Sequence, residues 1–219
     1  ESAAAIRSAV DRTPFHTRYI EARIGPFIDD VLLLKQFAKA GGVYGSDQMT
    51  EGFSGYLCEL LILFYGGFTP LLSAAAEWKP GTLIDPEGHR TKDFSEPLVV
   101  VDPVDPGRNV SASVSLDRMY EFVELARGYS ENPSGSFFFP ADDCVLSSGD
   151  LVSLIRKKGT NLVAITFSTP PYIPEIVVPQ LRRSLESVCS LLERNGFFVN
   201  AADCEMHDDF CMLIFEMAV

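Results

Sequence analysis

At 219 residues and 24.1 kDa, with 47% hydrophobic residues, the chain can bury one large core or two modest ones, and two are expected. The formal net charge of −12 argues against a broad nucleic-acid-binding surface, because phosphate contacts depend on Lys and Arg displacing counterions. No apolar run reaches bilayer-crossing length, the longest, residues 57–68, being broken by Glu59 and Gly66, so a water-soluble protein with no membrane partner is expected.

The opening residues Glu1-Ser2-Ala3-Ala4-Ala5-Ile6 hold no Met and no basic segment before an apolar one, so they are no signal peptide and read as the interior of a longer protein. Residues 2–23 suit a helix, with a break expected near 11–14 because Pro14 lacks a backbone donor; Asp11 or Thr13 would cap the helix beyond the break. Residues 27–40 read as an amphipathic helix stopped by Gly41-Gly42. Residues 57–65, apolar on nearly every side, predict a buried helix ending at Gly66-Gly67, and 68–78 predict another ending at Pro80-Gly81. Short β-like runs at 82–85 and 98–102 are candidates to pair in a small sheet. A helix over 116–129 leads into a linker at 130–136. Then come a helix (148–158), a strand (162–167), a helix (176–195) and two strands (197–204 and 211–217) joined by a turn at 207–209. The pattern predicts an α+β protein. Residues 1–24 would be a connecting helix, 25–139 a mainly helical central domain with a small sheet, and 140–219 a ferredoxin-like α/β-sandwich domain.

Few residues invite chemistry. Arg108 falls in the turn-rich stretch Asp102-Pro103-Val104-Asp105-Pro106-Gly107-Arg108-Asn109-Val110, read as a loop at the end of a buried strand. It would either offer a planar fork to a phosphate or base edge, or be satisfied by its neighbouring Asp residues. His16, one turn inside a helix start, would donate to an anion or simply pack. Lys35 interrupts an apolar run and Tyr44 comes just after the Gly41-Gly42 stop, so both would face a cleft, or Lys35 would snorkel to solvent. Arg182 and Arg183 form a basic pair in a late helix, suited to RNA or to a solvated face. Cys58, Cys144, Cys189, Cys204 and Cys211 stand singly, which suggests reduced thiols in an intracellular, cytoplasmic protein.

Two-metal phosphoryl transfer needs two close carboxylates for Mg²⁺, and only Asp203-Cys204-Glu205 has that spacing. No Gly-Ser phosphate loop precedes it, so it reads as structural, and no catalytic or metal-ligating residue is assigned within the chain. Walker A, GxSxG, HExxH and cysteine-rich metal motifs are also absent.

Taken together, Asp11-Arg12-Thr13-Pro14-Phe15-His16, the stretch from Glu51-Gly52-Phe53-Ser54-Gly55-Tyr56 through Leu57-Cys58-Glu59-Leu60-Leu61-Ile62, and Asp102 to Val110 closely resemble the class I (archaeal-type) CCA-adding enzymes, tRNA nucleotidyltransferases. Pro179-Gln180-Leu181-Arg182-Arg183-Ser184 and Glu193-Arg194-Asn195-Gly196-Phe197 resemble that family's C-terminal body more loosely. The resemblance implies a polymerase β-like head before residue 1, carrying the Gly-Ser loop and Mg²⁺ carboxylates, and a tail after Val219. It implies that His16, Lys35 and Tyr44 hold the triphosphate of CTP or ATP, and that Arg108 helps choose the base together with the tRNA 3′ end. The tRNA acceptor end would be the partner, with Arg182 and Arg183 as RNA contacts and a homodimer left open. By itself the chain would be inactive; the alternative is a non-catalytic RNA-binding or interaction module.

Overall fold

The computed structural model describes residues 9–140 and 147–218. Two compact units divide between Asp142 and Asp143, and the α+β class is the observed one.

In the first unit, α1 (Ala9–Glu21), α2 (Ile28–Ala40), α3 (Gly55–Tyr65), α4 (Phe68–Ala75) and α5 (Leu116–Glu131) surround a sheet of β1 (Thr82–Ile84), β2 (Leu98–Asp102) and β3 (Asp105–Asn109). The break expected near Pro14 does not occur, and α1 runs through it. Tertiary contacts outweigh the lost backbone bond: Arg12 and His16 are tethered on either side of the proline, and Ile20 is buried. The core is aromatic and dense. Phe37 of α2 meets the rings of Phe68, Phe122, Tyr129, Phe137 and Phe138, all with centroids within 6.2 Å. α3 begins two residues before the expected run, capped by the Ser54 hydroxyl, which accepts from Leu57 N–H at 3.2 Å, and it ends on the left-handed Gly66. No single described helix is long and apolar enough to cross a membrane; α3 and α4, apolar as a pair, meet at 95° and are largely buried.

The small sheet departs most from expectation. β1 and β2 do pair, in parallel, across a crossover of residues 85–97. Residues 105–109, expected as loop, instead form β3, antiparallel to β2 with an irregularity at Val101/Asp102. Buried side chains complete this ladder: Asn109 Oδ1 accepts from Val100 N–H at 2.9 Å, Asn109 Nδ2 donates to the Leu98 carbonyl at 3.0 Å, and the Ser111 hydroxyl donates to that carbonyl at 2.7 Å. The all-buried β2 cannot leave its backbone groups unpaired, so it recruits a partner with little strand propensity. Pro106 is tolerated because β3 is an edge strand.

The second unit comprises α6 (Ser148–Lys158), β4 (Thr160–Ser168), α7 (Pro174–Arg194), β5 (Val199–Met206) and β6 (Phe210–Ala218). Its antiparallel sheet has the order β4-β6-β5, so the βαββ segment splits around a central third strand, as in the first half of a ferredoxin-like sandwich. Val177, Leu181, Leu185, Val188 and Leu192, at helical spacing on α7, pack over Cys211, Leu213 and Phe215 of β6. None of the described cysteines, Cys58, Cys189, Cys204 and Cys211, is in a disulfide, and burial pushes the Cys58 thiol up to about 12; Cys144 lies outside the described residues.

Candidate functional site

The first unit gathers its polar groups around a carboxylate. Asp102 closes the buried strand β2, and its side chain is 0% exposed. Its Oδ2 lies 2.9 Å from His16 Nε2 and accepts from Arg108 Nη1 at 2.7 Å; its Oδ1 accepts from Val104 N–H at 3.0 Å and from the Tyr56 hydroxyl at 3.3 Å. Tyr56 also stacks on the His16 imidazole, the centroids 4.1 Å apart. Burial works to raise the Asp102 pKa, but the His16 hydrogen bond, the Val104 N–H and Arg108 outweigh it and hold the carboxyl below the usual range. Burial first, and the Asp102 charge second, push the Tyr56 phenol up, so it stays a neutral donor.

A second group gathers at the first residue of α3. Gly52 comes so close to the backbone that a Cβ there would lie 2.0 Å from the Val43 carbonyl oxygen, which lets residues 43–45 pair with 52–53 and sets the position of Tyr44. A Cβ on Gly55, in the first turn of α3, would meet the Tyr44 hydroxyl at 3.2 Å and Lys35 Nζ at 3.6 Å. These two donors therefore converge beside a helix N-terminus, where backbone N–H groups lack intrahelical partners. Lys35 Nζ pairs with Glu59 at 2.7 Å; burial opposes the ammonium charge, but the Glu59 hydrogen bond and charge prevail and raise its pKa.

A cleft of about 720 Å³ opens beside Asp102, with His16, Arg108, Arg12 and Lys92 supplying cationic or donor groups, Ser46, Ser54 and Ser113 supplying hydroxyls, and Phe94 a ring. Arg12 is steadied by Asp105 at 3.1 Å. Glu96 and Asp105 line the same cleft, so charges of both signs meet there. Arg108 lies on β3 rather than on a loop; Nη1 pairs with Asp102, and the side chain is 35% exposed in the cleft.

The four residues singled out in the sequence thus fall into two pairs, His16 with Arg108 on Asp102 and Lys35 with Tyr44 at Gly55, with α3's first turn contributing to both. Arg182 and Arg183 belong to α7 of the second unit, half-buried and exposed respectively. Asp102 and Tyr56 escaped sequence reasoning; the usable signal was an acid ending an otherwise apolar, β-branched run. Asp203 and Glu205 share the exposed face of β5, with Glu205 Oε2 and His207 Nε2 3.0 Å apart. Among the described residues, no three His, Cys, Asp or Glu side chains stand together as a metal set.

By fold and site this is an α+β protein whose first unit opens a polar cleft over a buried carboxylate. Residues 29–139 match the family model described as tRNA nucleotidyltransferase, second domain, and 158–219 match CCA-adding enzyme, C-terminal domain. The chain belongs to this tRNA nucleotidyltransferase family. It is 62% identical to the CCA-adding enzyme of Methanoregula boonei over 218 residues, covering 100% of this chain and 47% of that protein. Likeness to the CCA-adding enzymes of Methanosarcina barkeri (45% identical; 90% of this chain, 44% of that protein) and Haloarcula marismortui (44%; 95% and 45%) is also extensive. The chain spans about half the length of these curated relatives.

Proposed function

We propose that, in the complete protein, this chain forms the nucleotide-contacting wall of an enzyme that adds CTP- and ATP-derived residues to the tRNA 3′ end. The observation that carries the reading is the convergence of Lys35 and Tyr44 on the N-terminus of α3, beside the cleft that His16 and Arg108 line. Lys35, Tyr44 and the α3 amides suit phosphate oxygens, His16 brings an imidazole to the cleft wall, and Arg108 offers a fork to a base edge. Residues 25–139 would be the nucleotide and tRNA-substrate domain, and 140–219 the C-terminal body, with Arg182 and Arg183 as its RNA contacts.

Among the described residues, Asp102 is shut beneath its partners, and Asp203 and Glu205 belong to no group of three His, Cys, Asp or Glu side chains that could hold a metal ion. The metal-binding carboxylates are therefore assigned to the part of the complete enzyme outside this chain, and no catalytic residue is placed within it.

In the full-length protein, Lys35→Ala and His16→Ala should each lower kcat/KM for CTP and ATP by about 1.5–3 kcal/mol, one charge-assisted contact apiece. Unchanged kinetics in both variants would overturn the assignment. The 219-residue chain, given tRNA lacking CCA, Mg²⁺ and labelled CTP, should incorporate nothing; incorporation would show that its own carboxylates suffice.

A further inference from the structure

The Asp102 carboxylate cannot touch a ligand, yet it holds two groups that can. Its side chain is 0% exposed, whereas His16 is 17% and Arg108 35% exposed, and both line the cleft. Its partners come from separate pieces of chain: His16 from α1, Tyr56 from α3, Arg108 from β3 and Val104 from the intervening turn. A shut-in carboxylate is expensive unless hydrogen-bonded on all sides, and here both oxygens are doubly engaged.

We infer that Asp102 is a positioning residue for the nucleotide site proposed above: it holds Arg108 in place and keeps the His16 proton on Nε2, so that His16 presents Nδ1 to a nucleotide as an acceptor, for a hydroxyl or amino hydrogen of its sugar or base. The inference rests on the nucleotide reading only in naming the ligand. An ionised carboxylate can only accept, so the nitrogen 2.9 Å from Oδ2 must carry the proton. Stacking on Tyr56 fixes the imidazole plane, and the hydrogen bond fixes its rotation within that plane. Because His16 and Arg108 share the single oxygen Oδ2, disturbing the carboxylate disturbs both together. The charged and titratable groups that share the cleft with this imidazole are Arg12 on its own helix, Tyr56 on α3, Lys92 and Glu96 in the crossover, and Asp105 and Arg108 on β3, with Asp102 of β2 beneath.

Nitrogen NMR of the full-length protein labelled at histidine, with His16 assigned by its loss in His16→Gln, tests the tautomer without nucleotide. Nε2 should be protonated, and CTP should shift Nδ1 while leaving that proton in place. A bare Nε2 overturns the inference, as does CTP acting at Nε2. In parallel, Asp102→Asn and Arg108→Lys should each raise KM for CTP about tenfold, and the double variant should be no worse than the worse single one, because both changes break one unit. Independent, multiplying effects overturn the coupling. Should Asp102→Asn fail to fold, the wild-type tautomer still decides the matter. CTP that shifts neither nitrogen, together with an unchanged KM in Arg108→Lys, defeats the nucleotide reading but not the hold of Asp102 on His16.

Discussion

The two units handle charge and core in opposite ways. The first encloses a broad aromatic core and buries Asp102, Asn109 and Ser111 within it. The second has six buried apolar residues among those described, Val177, Val178, Leu181, Cys211, Leu213 and Phe215, and β4 leaves Leu162, Val163, Ile165 and Phe167 exposed. Its ion pairs Lys158–Glu216 and His207–Glu205 sit toward solvent. A deep core can hold a polar network in a single geometry, since moving any member strands a buried group. A shallow one leaves its charges hydrated and adjustable. That contrast explains why the preorganised donors collect in the first unit.

The sole tryptophan, Trp78, packs 5.7 Å from Phe122, so its fluorescence reports the first unit alone. Followed this way in denaturant, Phe37→Ala should cost about 4–5 kcal/mol, because five ring contacts vanish into a cavity that cannot collapse. Leu213→Ala, followed by circular dichroism in the second unit, should cost about 2–3 kcal/mol. Equal losses would dissolve the contrast between the cores.

Asp102→Ala should cost about 3 kcal/mol, as it leaves Arg108, His16 and the Val104 N–H without their acceptor. A loss under about 1 kcal/mol would mean that water readily replaces the carboxylate there.

Acidification should show the same network more gently. The Asp102 carboxyl has a depressed pKa in the fold, so its stabilisation is present above the ordinary carboxylate value, about 4, and is lost as pH falls through the depressed value. The Trp78 midpoint should drop on acidification below about pH 4, and Asp102→Asn should flatten that drop. An identical acid response in the variant would assign the effect to other carboxylates. The smallest effect is expected at Glu216→Gln, where the Lys158 and Thr160 partners are easily replaced by water; a loss matching that of Asp102→Ala would show that the second unit is not the looser one.

Much of the fold was legible. Helices α2, α3 and α5 were marked by their apolar patterns and the breakers or linker after them, and the strands of the second unit by short apolar stretches alternating with helical ones. Pro14 misled because a strong local rule was overridden by distant tethers, and β3 was missed because Asp-Pro-Gly-Arg-Asn has turn chemistry at every position but Arg108. Lys35, Tyr44, His16 and Arg108 were picked out as separate candidates, but nothing local showed that they form two pairs around Asp102 and Gly55.

Residues 1–219 settle by their own order what depends on neighbours a few positions apart: the Ser54 cap, the left-handed Gly66 stop, the apolar stripe of α7 and the motif set that marks the family. Only the tertiary structure decides that His16 and Asp102, 86 positions apart, share a hydrogen bond, and that Arg108 joins them on the same oxygen. The physical reason is that a buried carboxylate must find donors wherever packing brings them, and that packing is not written in local spacing.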